Sequence, residues 1–139
     1  MSRLMLDTCV VVDMLMDADG LDKSVVDILD DPENILFASF ETMRELVVLF
    51  NNKNLLSKQW KTAEDVIRTV EEDLDVEFLP LRPRVGYTYA NLLLNEGQGH
   101  KDPSDHVIIS QAITEHLTLI SSDTRFWFYR NQGLDLIEY

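Results

Sequence analysis

Short apolar runs recur along the chain, and between them lie segments whose apolar residues return every three or four positions. LMLD (4–7), NILFAS (34–39), VEFLPL (76–81), LTLISS (117–122) and LDLIEY (134–139) are the short runs. Each has the length of a strand buried on both faces. Helices are predicted over VVVDMLM (10–16), DKSVVDILDD (22–31), residues 39–52, 57–74, 84–97 and 102–117. In 22–31 the inner side carries Val25, Val26, Ile28 and Leu29; in 39–52 Ser39 is the N-cap and Phe40, Met43, Leu46, Val47 and Phe50 form the apolar stripe. The 102–117 helix starts with Asp102 as N-cap and Pro103 at its first position. Strands alternating with helices make right-handed β-α-β units, which implies an α/β fold: a three-layer α/β/α sandwich around a mainly parallel sheet. Such sheets bind ligands outside the carboxyl ends of their strands, where Asp7 and Asp123 fall.

No repeat, low-complexity tract or Gly/Ser linker divides the 139 residues, so 1–139 is read as a single domain. No stretch approaches the ~20 apolar residues of a membrane span. The first apolar run meets an acid after three residues, too soon for a secretory core, so a cytoplasmic location is expected. The single cysteine, Cys9, agrees with a reducing compartment and argues against a thiolate zinc site. With 25 acids against 12 bases the net charge is −13, which argues against nucleic-acid binding through a simple basic patch. A polyanion could then be handled through a divalent cation; a basic partner is the other route.

Acids from distant segments gather if the sheet is wound this way: Asp7, Glu45, Asp102, Asp105 and Asp123. Each also has a plain structural explanation. Asp102 can be an N-cap alone, Asp105 a dipole-favoured acid in the first helical turn, and Asp123 the start of the turn SSDTRF. By helical periodicity Glu45 falls beside Glu41 on a solvated face, and nothing separates the two. Asp7 is harder to dismiss, because an acid ending a buried strand must find water, donors or a cation. Three or four converging carboxylates need a cation, and oxygen donors without a Cys/His cluster suit Mg²⁺ or Mn²⁺ over Zn²⁺. Phosphodiester hydrolysis is the chemistry that uses such a site.

In LMLDTCVVVDML (4–15), SFETMREL (39–46), DPSDHVIISQAITEHLTLISSD (102–123) and the following TRF, the chain resembles the PIN-domain family, especially its VapC-type toxin ribonucleases. The resemblance implies cleavage of RNA by acids that hold Mg²⁺ or Mn²⁺. Carried over by position, these are Asp7, Glu45 rather than Glu41, Asp105 and Asp123, with Thr8 and Ser122 as supports and Asp102 able to hold a bound water. Cys9 departs from the Ser or Asn usual at its position, which puts a polar contact in doubt. His106 beside the third acid is read as a packing or surface residue, and His100 and His116 have weaker claims on catalysis.

Arg125, Arg44 and Lys101 are the bases available to steer RNA phosphates. The aromatics of TRFWFYR (124–130) are expected to pack against the core or a partner, with stacking on bases as the alternative. The apolar excess of ELVVLF (45–50) predicts a homodimer, as the resemblance also implies. A toxin of this type would have a cognate antitoxin. Two other functions remain open: a PIN-like interaction module without cleavage, and another Mg²⁺-dependent phosphate-ester hydrolase with Asp7 as nucleophile. The second often wants an acid two residues on, where this chain has Cys9. Asp13 is read as an ordinary helix acid.

Overall fold

In the computed structural model, which describes residues 1–16 and 20–139, five strands form one parallel sheet. They are β1 (Arg3–Leu6), β2 (Ile35–Ser39), β3 (Val76–Leu79), β4 (Thr118–Ser121) and β5 (Asp135–Glu138), in the spatial order β3-β2-β1-β4-β5. The helices are α1 (Thr8–Met16), α2 (Lys23–Leu29), α3 (Phe40–Asn51), α4 (Ala63–Glu72), α5 (Pro83–Asn91) and α6 (Pro103–Glu115). A 3₁₀ segment, Thr124–Gln132, links β4 to β5.

The apolar runs are unbroken because both faces of the sheet are covered. Leu4, Leu6, Leu36, Ala38 and Ile120 pack into one core with Val10 and Val11 of α1, Leu46 of α3 and Val66 and Val70 of α4. Their strand neighbours Met5, Phe37 and Leu119 enter a second core with Ile108, Ile109 and Ala112 of α6 and Phe126 and Tyr129 of the 3₁₀ segment. This period-two division is what a doubly covered strand requires. It confirms the predicted α/β/α sandwich.

Several boundaries follow local chemistry. Ser39 Oγ accepts from Glu41 N at the start of α3, and Asp102 Oδ1 accepts from Ser104 N before Pro103 opens α6. The predicted 57–74 helix begins only at Ala63. Thr62 and Asp65 form a reciprocal capping box there, while Trp60 turns inward and donates from Nε1 to Thr69 Oγ1 (3.0 Å). The predicted 84–97 helix ends at Asn91. Beyond it the chain is held from outside: Gln132 accepts from Leu93 N (2.9 Å) and donates to Leu93 O (3.0 Å). Tyr129 Oη then accepts from Asn95 N (3.1 Å). Phe40, assigned to the inner stripe of α3, is 49% exposed, and the fully buried Thr42 lies inside instead. The aromatic run splits evenly, with Phe126 and Tyr129 buried and Trp127 and Phe128 exposed.

Candidate active site

The carboxyl ends of β1 and β4, adjacent in the sheet, open into a cleft of ≈ 520 Å³ lined by Asp7, Glu45, Asp102, Asp105 and Asp123. The five acids come from four separate stretches of chain, and α3 and α6 bring theirs over the sheet rim.

Asp7 follows β1 directly, and its N–H continues the ladder to Ile120 O (3.0 Å). Its side chain is almost fully buried. Oδ1 accepts from Thr8 N (2.8 Å), and Oδ2 accepts from Ser121 Oγ (2.7 Å) and Cys9 Sγ (3.4 Å). Burial pushes its pKa up, and these donors pull against that shift. Glu45 is held from α1: Thr8 Oγ1 donates to Oε1 (2.6 Å), which uses the hydroxyl's one hydrogen, so Thr42 must donate to Thr8 across their 2.9 Å contact. Burial raises the Glu45 pKa as well.

Asp105 stands one turn into α6, with Oδ2 at 2.9 Å from His100 Nε2. Burial first, and then the charges of Asp7, Asp102, Asp123 and Glu45, push its pKa up to about 8. Asp123 differs, because the Arg125 guanidinium binds it through Nε to Oδ1 (3.0 Å) and Nη2 to Oδ2 (2.7 Å). That pairing holds Asp123 below the usual carboxylate range. The same guanidinium lies 3.9 Å from Asp105 Oδ2.

Glu41 points elsewhere: it pairs with Arg44, and Ser104 Oγ donates to it (2.8 Å) while accepting from Arg44 Nη2 (2.8 Å). Arg44 is thus tied down outside the cleft, and Lys101 is exposed and does not line it. Arg125 is, among the described residues, the basic side chain that does. Asp13, read from the sequence as an ordinary helix acid, also lines the cleft from α1.

Three contributors were not visible in the sequence. Ser121, rather than the adjacent Ser122, donates to Asp7, and its Oγ also accepts from Asp123 N (3.1 Å). Ser122 lines the cleft, 3.5 Å from Cys9 Sγ. The available signal was position alone, since Ser121 ends β4 at the carboxyl edge of the sheet. Thr42 is the second. The third is His100, ranked below His106: it touches Asp105, whereas His106 is buried behind it with its ring 4.7 Å away. No local pattern marks His100, whose contacts are tertiary. Cys9 keeps its proton, because burial and Asp7 push the thiol up to about 11.

Ser121→Ala is expected to cost about 1–3 kcal/mol in urea unfolding, because it removes the partner of Asp123 N and leaves Asp7 Oδ2 with the weak Cys9 thiol donor, whereas Ser122→Ala should change stability by less than ~0.5 kcal/mol. Equal effects of the two would contradict the assignment.

The donor set fits a divalent cation. His100, Asp105 and Asp123 offer ligand atoms within 4.8 Å of one another, and Asp7 and Glu45 line the same cleft outside that triplet. Burial first, and then the neighbouring carboxylates, raise the pKa of Asp7, Glu45 and Asp105, so a cation placed among them would stabilise their ionised forms.

A parallel α/β/α sheet with converging carboxylates at its C-terminal rim defines a class of acid-cluster proteins. A PIN domain family model matches residues 4–133, and the chain belongs to that family. Among solved structures, the chain is similar to one in VapBC2 from Rickettsia felis bound to a DNA fragment from their promoter (19% identity, 98% of each chain, TM-score 0.73). It is also similar to one in VapBC-1 from nontypeable Haemophilus influenzae (24% identity, 98% of this chain and 97% of the other, TM-score 0.68). A third is in FitAcB from Neisseria gonorrhoeae (21% identity, 96% of each, TM-score 0.64). No curated protein sequence matches the chain.

Proposed function

We propose that the protein is a metal-dependent endoribonuclease, the toxin of a type II toxin-antitoxin pair. The observation that carries this reading is the convergence of Asp7, Glu45, Asp105 and Asp123 from four segments into one cleft at the sheet rim. Similarity in fold to chains of VapBC complexes supports it. The all-oxygen character of the four acids favours Mg²⁺ or Mn²⁺. When bound, the cation would hold a phosphate oxygen, lower the pKa of a water and stabilise charge on the reacting phosphorus.

The chain's residues prepare that step. Ser121 and Thr8 N fix Asp7, Thr8 Oγ1 fixes Glu45, and both carboxylates keep their faces toward the cleft. Asp105 and Asp123 complete the cluster, and Asp102 lines the same cleft, where it would hold a bound water. Arg125 supplies the positive charge that a phosphodiester needs near an otherwise acidic wall. The alternative of a phosphate-ester hydrolase with Asp7 as nucleophile is disfavoured, because Cys9 stands where such chemistry often wants a second acid.

The acidic cleft suits an antitoxin that inserts basic side chains, and the exposed Phe40 and Val48 on α3 suit a homodimer. No helix among the described residues is long and apolar enough to cross a membrane.

The test is incubation of purified protein with structured RNAs. Cleavage in Mn²⁺ that stops with a chelator is the expected result. Intact RNA across a broad substrate panel, or cleavage that persists in the chelator, overturns the proposal.

A further inference from the structure

Behind Asp105 runs a chain of buried hydrogen bonds. Its first link is the N–H of Asn95, which donates to Tyr129 Oη (3.1 Å). The second is the 2.9 Å contact between Tyr129 Oη and His100 Nδ1, and the third joins His100 Nε2 to Asp105 Oδ2 (2.9 Å). The His100 side chain is fully buried, edge-on to His106 with 4.7 Å between ring centroids and 5.4 Å from Phe126, so the ring has no room to turn over.

The direction of the chain follows from counting hydrogens. Asn95 N can only donate, so it takes a lone pair of Tyr129 Oη. The phenol hydrogen then needs an acceptor, and among the described residues His100 Nδ1 is the acceptor within reach. A neutral imidazole that accepts at Nδ1 carries its hydrogen on Nε2. That hydrogen points at Asp105 Oδ2. The opposite tautomer would strand the phenol hydrogen in the core.

We propose that His100 is the positioning residue of the site: locked by Tyr129 as the Nε2–H tautomer, it pins Asp105 Oδ2 and leaves Oδ1 as the oxygen that Asp105 offers a divalent cation. This rests on the metal-dependent reading above and deepens it. His100 lies close enough to Asp105 and Asp123 to be taken for a third ligand, but a protonated Nε2 has no lone pair to give. The ligand set is therefore oxygen, and the cleft selects Mg²⁺ or Mn²⁺ over Zn²⁺. The device ties the metal site to the loop at Asn95 and to the 3₁₀ segment through one phenol.

Nitrogen-15 NMR of the metal-free protein tests the tautomer, with the His100 signals assigned by their loss in His100→Gln. The expected pattern is a pyridine-type Nδ1 and a pyrrole-type Nε2; the reverse overturns the proposal. Calorimetric titration with Mn²⁺ tests the role. His100→Leu is expected to weaken Mn²⁺ by about 10–100-fold, as loss of a group that orients a metal ligand does, and Tyr129→Phe by about tenfold. His100→Gln, whose amide N–H reaches the same place, is expected to recover most of that loss. Wild-type binding that is unchanged in both His100→Leu and Tyr129→Phe overturns the positioning role. Should the wild type bind no Mn²⁺ at all, the metal-dependent reading falls and the role built on it falls too, while the nitrogen spectrum still decides the tautomer. Should Zn²⁺ bind through His100, seen as its Nε2 signal shifting on titration, the oxygen-only ligand set is wrong.

Discussion

Asp105→Asn is expected to stabilise the metal-free protein at pH 8 while lowering Mn²⁺-dependent RNA cleavage by about 10²–10⁴-fold, the loss of several kcal/mol of charge stabilisation. The two effects share one cause. In the unfolded chain an aspartate loses its proton near pH ~4, whereas in the fold Asp105 keeps it up to about 8. Between those values the folded state binds more protons, so stability falls as pH rises, and the full penalty stands above pH 8. Asparagine never ionises, retains an oxygen to accept from His100 Nε2, and removes the penalty. A gain of about 1–2 kcal/mol, or roughly 3–8 °C in melting temperature, allows for screening by water and salt in an open cleft. Thermal melts of wild type and variant at pH 4 and pH 8 check the sign: the gap should appear at pH 8 and close at pH 4. Saturating Mn²⁺ should reverse the order at pH 8, because only the wild type gains from binding. A gap independent of pH would mean that the Asp105 charge is not what opposes folding.

The parts of this arrangement that could be read from the sequence are those set by local periodicity. Unbroken apolar runs at LMLD and LTLISS announce strands covered on both faces, and an acid ending such a run has few places to be except the sheet rim. Asp102-Pro103 announces the start of α6, which fixes Asp105 one turn in. Glu45 was chosen over Glu41 through family resemblance alone, since both lie on one helix face. The structure separates them by partners far away in sequence: Thr8 reaches Glu45, while Ser104 takes Glu41, which also pairs with Arg44 one turn along the helix. The contacts of His100 and Ser121 are not legible in the sequence for the same reason, because they depend on which segments the fold brings together. Residues 92–95 read as helix because their composition permits it, but Gln132 and Tyr129 compete for the backbone groups a helix would use.

Arg125→Met is expected to tighten Mn²⁺ binding by roughly 5–10-fold while raising the KM for RNA by about tenfold. The guanidinium grips both oxygens of Asp123 and stands 3.9 Å from Asp105, so it acts as a resident counter-cation where a metal would compete for the same carboxylates. A half-exposed ion pair contributes about 1 kcal/mol, which sets the size of the gain when it is removed. Methionine keeps the apolar stem, so packing of the 3₁₀ segment should hold. For RNA the sign is opposite. With Arg125 gone, the cleft retains its acids and loses the base that faces them, and the salt dependence of RNA binding should drop by about one unit of slope. Mn²⁺ calorimetry together with KM measured across a salt series separates the two roles. If the metal binds no tighter, Arg125 does not compete for Asp123; if KM and its salt slope stay unchanged, the guanidinium does not meet phosphate. Both changes together would describe an exchange in which the metal displaces the guanidinium from Asp123 and the freed guanidinium turns to the RNA.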